Sequence, residues 1–293
     1  MITLSEPTLG ELELRGSPFL VSSFQIGSRA PRGVMRSRAL ADGMIDDTRY
    51  AGSRAVTLAV TVNERDCGPA ADRTTIQGLL DRLLPYMQPR RRCTLTWSLP
   101  GSDVRRQLTV RGDSAPVQIE NPRHPRLVLQ FIAPDGEITT PGVHTLRIDP
   151  ASDVESGRVY STGTELKFDR NYPVLGATGS KTVTQQGNEP AHWRLTIFGG
   201  AVNPFFTING VTIDMSSNGG HTVAAGSSLV IDTRNRYIWA DDSPLTPKYD
   251  RSNFTEWAWS DLLLQPGDNT VRFGADTLTG GQAQLEWSDT WAG

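Results

Sequence analysis

The chain has 293 residues, enough for two domains that each bury a core, and 37% are hydrophobic with 28 Gly and 19 Pro, a globular composition that leans toward β structure and excludes disorder. The formal net charge of −3 divides unevenly: 19 Arg face 16 acids in residues 1–150, and 10 Lys plus Arg face 16 acids in 151–293, so +3 sits beside −6 without the clustered basic face that nucleic acid requires. No apolar run reaches the roughly 18 to 20 residues that cross a bilayer, and the opening MITLSEPTLGELEL carries acids where a secretory signal needs bases, so the chain is expected to fold in a cytoplasm without membrane insertion.

The first strong periodicity is RAVTLAVTV, residues 54–62. Val56, Leu58, Val60 and Val62 fall on one side and Ala55, Thr57, Ala59 and Thr61 on the other, the period of two that a sheet with one apolar face demands. DRTTIQGLLDRLLPYM then reads as a helix, with Ile76, Leu79, Leu80, Leu83 and Leu84 on one face, a Thr74/Gln77 capping box, and Pro85 ending it. Arg90-Arg91-Arg92 is a solvated strand entrance. The two cysteines, Cys67 and Cys93, have no C-x-x-C and no histidine at ligand spacing, and read as free structural thiols.

Thr94–Leu99 and Val104–Val110 flank Pro100-Gly101-Ser102-Asp103 as a hairpin, and RLVLQFIA (126–133) is a further strand stopped by Pro134-Asp135-Gly136. One helix on an antiparallel sheet buries all these faces. Residues 134–163 are rich in turn formers, and HTLRI is their one short strand. The boundary is placed there, giving domains 1–148 and 149–293.

The second half reads as all β, with short runs at roughly 8 to 12 residue spacing: ELKF, KTVT, HWRLTIF, FFTIN, VTIDM, HTVAA, SLVID, RYIWA, NTVRF and AQLEW. Asn209-Gly210 and Asn218-Gly219 supply the positive φ that tight hairpins need. The fold class is therefore mainly β: an N-terminal sheet or sandwich domain with one α-helix, then a C-terminal antiparallel β-sandwich.

Chemistry has little foothold. The acid pairs Asp46-Asp47 and Asp241-Asp242 would point to opposite faces of a strand and cannot flank a glycosidic bond. His124, His144, His192 and His221 form no ligand pattern, and no P-loop, dinucleotide fingerprint or nucleophile elbow occurs. The sequence points to no enzyme, no cofactor and no metal. Six of the seven tryptophans lie in the second half. Trp257 and Trp259 would share a face if extended. With Trp239 and the neighbouring Asp241 and Asp242 they make a candidate platform for a sugar ring, against the alternative of core or subunit contact.

Taken in order, DTRYAGSRAVTLAVTV, the capped helix, the hairpin and the strand ending in APDG resemble the N-terminal belt domain of the siphovirus distal tail protein (Dit) family, in its actinobacteriophage minor-tail-protein form. QGNEPAHWRLTIFGGAVNPFFTING, SLVIDTRNRYIWADD, WSDLLLQPGDNTVRF and AQLEWSDTWAG are similar to its C-terminal sandwich, of jelly-roll or galectin-like kind. In this resemblance LLLQPGDNTVRF holds a recurring turn: Pro266 fixes φ, Gly267 takes positive φ, Asp268 and Asn269 bond nearby backbone, and the strand begins at Thr270.

The resemblance implies a virion protein at the distal end of the phage tail, synthesised in the host cytoplasm. Its copies form a hexameric ring, and its partners are the tail tube protein, the tail-tip or baseplate hub proteins and the tape measure protein. Arg54, Val56, Leu58 and Val60 are the candidate belt-sheet or ring-interface residues, on the argument that an unpaired sheet edge serves a closed ring. The alternative is a carbohydrate-binding protein whose second domain grips host-wall glycan. Arginine outnumbers lysine 26 to 3, which fits a GC-rich coding sequence and an actinobacterial host.

Overall fold

The structure, a computed structural model, describes residues 1–14, 18–29, 31–32, 35–37, 44–46, 50–62, 73–115, 117–118, 125–148 and 179–292. Cys67, His124 and the ELKF run lie outside them. The chain divides into two compact units, Met1–Pro141 with Trp291–Gly293, and Gly142–Thr290.

The first unit opens with β1 (Ile2–Glu6), β2 (Gly10–Glu13) and β3 (Phe19–Ile26). Two short pairs follow, β4 (Pro31–Arg32) with β7 (Tyr50–Ala51) and β5 (Met35–Ser37) with β6 (Met44–Asp46). Next come β8 (Arg54–Val62), α1 (Arg73–Leu83) running into a 3₁₀ turn (Leu84–Met87), β9 (Cys93–Ser98), β10 (Arg105–Ser114), β11 (Val117–Gln118), β12 (Arg126–Ala133) and β13 (Ile138–Thr139). Among the described residues the main path is β2-β1-β9-β10-β12-β8-β3. The long strand β10 belongs to both halves of that path. Its Arg105–Val110 stretch pairs with β9, and from Arg111 onward it pairs with β12. This handover folds the sheet over itself around one core, with Leu4, Leu58, Leu95, Leu127 and Leu129 wholly buried.

Along β8, Val56, Leu58, Val60 and Val62 are buried as the period of two requires; on the other face Ala55 is exposed and Thr57 and Thr61 are half-buried, but Ala59 is buried as well. Helix α1 turns Leu79 and Leu83 into the same core, and the α-helical pattern stops just before Pro85. Helix α1 is described from Arg73, and the Thr74 side chain of the expected capping box lies outside the described residues. Gln77 donates instead to Asp81, one turn on, at 2.9 Å. The hairpin between β9 and β10 turns on Gly101 at φ 77°, with Ser102 N–H donating to the Leu99 carbonyl, the type II arrangement that follows Pro100. Gly112 is obligatory for a different reason: a Cβ there would fall inside the Met87 carbonyl group.

The second unit holds β14 (His144–Ile148), β15 (Gly179–Gln185), β16 (Trp193–Phe198), β17 (Ala201–Ile208), β18 (Val211–Asp214), β19 (Thr222–Val223), β20 (Ser228–Asp232), β21 (Tyr237–Ala240), β22 (Gly267–Leu278) and β23 (Gln282–Trp287). They form two antiparallel sheets, β14-β23-β16-β20-β21 and β15-β22-β17-β18, with β19 on β17. The inner faces interdigitate: Trp193, Leu195, Ile197, Ile231 and Leu285 from one sheet meet Phe206, Ile208, Val271 and Phe273 from the other. Asn209 (φ 47°) and Gly210 (φ 88°) make the β17–β18 hairpin. The HTLRI strand, β14, pairs with β23 within this unit, and the division falls at Pro141/Gly142.

Candidate functional site

Three groups of residues stand out on the sequence, and the fold treats them differently. Arg54, Val56, Leu58 and Val60 lie in β8, which pairs along its length with β12 on one side and β3 on the other. Their side chains are 4%, 1%, 0% and 0% exposed. Arg54 donates from Nε to the Gly136 carbonyl at 2.6 Å and from Nη1 to the Gly27 carbonyl at 3.3 Å, tying the APDG turn to the end of β3. These residues build the core of the sheet. The free edges lie elsewhere: among the described residues β2 pairs only with β1 and β3 only with β8. Beside β3, an apolar hollow of about 340 Å³ is lined by Ile2, Leu14, Leu20, Val21, Phe24 and Trp97. Leu20 is 53% exposed and Leu99, on the rim, 47%.

Pro266–Asn269 is a corner held from inside. Gly267 has φ 90° and already opens β22, three residues before Thr270. Asn269 is wholly buried. Its Oδ1 accepts from Gln265 N–H and Asn209 Nδ2, both at 2.7 Å, and its Nδ2 donates to the carbonyls of Gln265 (2.7 Å) and Gly267 (2.9 Å). Asp268 accepts from the Thr184 hydroxyl at 2.7 Å. With its side-chain groups partnered, Asn269 fixes the corner and offers nothing outward.

The aromatics divide into two clusters. Trp257 is 8% exposed, donates from Nε1 to Asn253 at 2.9 Å, and stands at 80° to Trp259 with centroids 5.2 Å apart. Tyr249 completes the group, stacked on Trp259 at 19° and edge-on to Trp257 at 83°. The two tryptophan rings share no plane, and the cluster packs on the core. The run WAWSD is not extended, so the spacing of two does not place both rings on one face.

Trp239 belongs to a separate group. On β21 it stacks on Tyr237, two residues earlier, with centroids 3.7 Å apart and planes 11° from parallel. Asp241 and Asp242 follow in a tight turn, both at positive φ (53° and 51°), with Ser243 N–H closing on the Ala240 carbonyl. Asp241 is spent on the backbone, accepting from Ser228 N–H at 2.8 Å. Asp242 accepts from Arg194 Nη2 at 2.6 Å and from the Tyr237 hydroxyl at 3.3 Å. Burial first, then the negative Asp232 nearby, pushes the Tyr237 phenol up to about 12. Tyr237 therefore stays a neutral donor at any ordinary pH. Arg194 comes from β16, 48 residues before Asp242, and no local pattern announces it; Tyr237 is readable, being at i−2 of Trp239 on the same strand.

Among the described residues no group of three or more His, Cys, Asp or Glu is arranged to hold a metal. Among the described residues no helix is long and apolar enough to cross a membrane. Cys93 is buried, donating to the Tyr86 carbonyl at 3.3 Å, and burial raises its thiol above the usual value.

No family model matches the chain, and no curated protein matches it. Among solved structures, the chain is similar to the Dit protein of phage SPP1, described as a paradigm of the hub adsorption apparatus in phages infecting Gram-positive hosts. The TM-score is 0.60 at 11% identity, over 99% of this chain and 99% of that one. Two structures of the phage P2 baseplate in its activated conformation, with calcium and with strontium, align over 97% of each chain at 8% and 6% identity, both with a TM-score of 0.38. At 11% identity the likeness to the SPP1 protein is one of fold, and it spans both units.

Proposed function

We propose that this chain is a structural protein of a phage tail tip, of the distal tail type. It forms a ring at the end of the tail tube through its first unit and joins the tube to the tail-tip or baseplate proteins. The observation that carries this reading is the full-length fold likeness to the SPP1 hub protein, 99% of each chain, which takes in both units of this one. Among the described residues β2 and β3 end the main path and pair on one side only, which supports it physically, because a head-to-tail contact that closes by rotation satisfies two different edges on each copy. A homohexamer and an actinobacterial host belong to the same reading.

Light scattering on the full chain over a concentration series tests the reading, with electron microscopy of the largest species. The expected outcome is a defined closed assembly, six copies around a channel, approached from monomer as concentration rises. A chain that stays monomeric at every concentration, and also when co-expressed with its tail tube protein, overturns it.

A further inference from the structure

The outer face of the β14-β23-β16-β20-β21 sheet gathers a set of polar and aromatic side chains apart from the free edges of the first unit. Along β16 the inward residues are Trp193, Leu195 and Ile197, so Arg194 and Thr196 face outward. The register then sets two rows across three strands, Arg194–Asp232–Tyr237 and Thr196–Val230–Trp239. Val230, between Thr196 and Trp239 on this outward side, is only 1% exposed, so neighbouring side chains cover the middle strand there.

We propose that Tyr237, Trp239, Asp242 and Arg194 form a binding site for a neutral, pyranose-based oligosaccharide. The stacked Tyr237 and Trp239 rings cover each other's facing sides, and both are still partly exposed, so the stack offers an outer ring face of the kind that meets the C–H face of a sugar ring. Beside them stand a carboxylate and a guanidinium in contact at 2.6 Å, with side chains 46% and 38% exposed. Asp242 has used one acceptor position on Arg194 and one on Tyr237, and an ionised carboxylate offers about four. Arg194 has five donors and spends one on that contact. An acceptor and a donor side by side match two neighbouring hydroxyl groups. Because the pair is self-neutralised, it favours a polyhydroxylated neutral ligand over a nucleic acid or a strongly anionic polymer.

The geometry is preorganised. Asp241 and Asp242 both sit at positive φ, a conformation that costs an ordinary side chain energy, and the Asp241 carboxylate with its own N–H locks the turn to Ser228 from both sides. Trp257 and Trp259 have no part in the site: one is buried and the pair is perpendicular.

The test is a titration of the full chain with four neutral oligosaccharides, cellotetraose, maltotetraose, mannotetraose and galactotetraose, followed by tryptophan fluorescence and calorimetry. At least one is expected to saturate with a Kd of about 1 mM or tighter. Trp239→Ala and Asp242→Asn are each expected to weaken it at least about tenfold. Asn tolerates the positive φ of position 242, so the second variant keeps the fold and decides the matter if the first does not fold. Failure of all four sugars to saturate below about 10 mM, or binding that survives Asp242→Asn unchanged, overturns the site. Neither result bears on the mass measurement that tests the ring.

Discussion

The two units close a β core in different ways. The first folds one continuous path of strands over itself: β10 pairs with β9, then crosses to β12, and the 3₁₀ turn after α1 lies against the crossing at Gly112. The second stacks two separate sheets and seals them with the 249–264 segment, whose Trp257, Leu262 and Leu264 enter the core. The difference shows on the surface. The first unit leaves Leu20, Leu99 and Met1 exposed around an apolar hollow beside a free edge, whereas the large apolar side chains that the second unit exposes, Val143, Phe198, Leu245 and Phe254, come from β16 and three separate loops, and Phe254 packs on Tyr249. Single exposed apolar residues are ordinary; a grouped set beside an unpaired strand is a surface awaiting a neighbour. The proposed assembly role is accordingly placed on the first unit and the proposed ligand site on the second.

The sharpest way to break this comparison is to destroy one unit and watch the other. Gly112 in the first unit and Gly187 in the second are matched for the purpose, since a Cβ at either would fall inside a backbone carbonyl, of Met87 and of Thr290 respectively. Gly112→Ala is expected to cost the first unit about 3 kcal/mol or more, and Gly187→Ala to do the same to the second. Scanning calorimetry should show two transitions, each variant lowering one and leaving its companion in place. If either substitution moves both transitions together, the chain unfolds as one cooperative body and the division loses its energetic meaning.

Those two glycines also mark where the sequence stops being readable. Nothing about Gly112 in its local string VRGDS distinguishes it from a turn glycine, because the atom that forbids a side chain arrives from Met87, 25 positions earlier. Local rules reached what local geometry decides: the inward face of β8, the Pro100-Gly101 turn, the stop of α1 at Pro85 and the Asn209-Gly210 hairpin. Pairing order is long-range, so the position of β8 between β3 and β12 was hidden, and with it the fact that Arg54, Val56, Leu58 and Val60 are interior. The aromatic site was half legible. Trp239 and Asp242 are neighbours in sequence, but Arg194 reaches them only through the β16–β20–β21 register.

A smaller effect is expected at the corner of the second unit. Asn269→Ala removes the acceptor for Gln265 N–H and Asn209 Nδ2 and the donor to the Gln265 carbonyl, all made by a side chain that is itself wholly buried. The expected loss is about 2 kcal/mol, confined to the second unit's transition, measured by urea denaturation. Asp268→Ala, beside it but exposed, should cost less than about 0.5 kcal/mol. Equal effects at the two positions would mean that the corner is held by its backbone turn and not by the asparagine.

The smallest effect separates the units by pH. Glu6, the last residue of β1, accepts from the Thr8 hydroxyl at 2.6 Å, from the N–H groups of Thr8 and Leu9 at 2.7 and 2.8 Å, and lies 3.4 Å from Arg91. The Thr8 hydroxyl bond, with the two backbone bonds and the Arg91 charge behind it and partial desolvation opposing them, holds its carboxyl below 4.5. A carboxyl with a depressed folded value stabilises the fold above its unfolded value, and that contribution disappears as pH falls through the folded one. The first unit's melting temperature should thus drop as pH falls below about 4.5, and Glu6→Gln should lie below the parent chain at pH 7 and converge on it in acid. Other carboxylates titrate in the same range, so the diagnostic quantity is the difference between parent and variant at each pH. A difference that stays constant from neutral pH into acid would show that the amide replaces the carboxylate in every respect except length of contact, and that the turn between β1 and β2 owes nothing to charge.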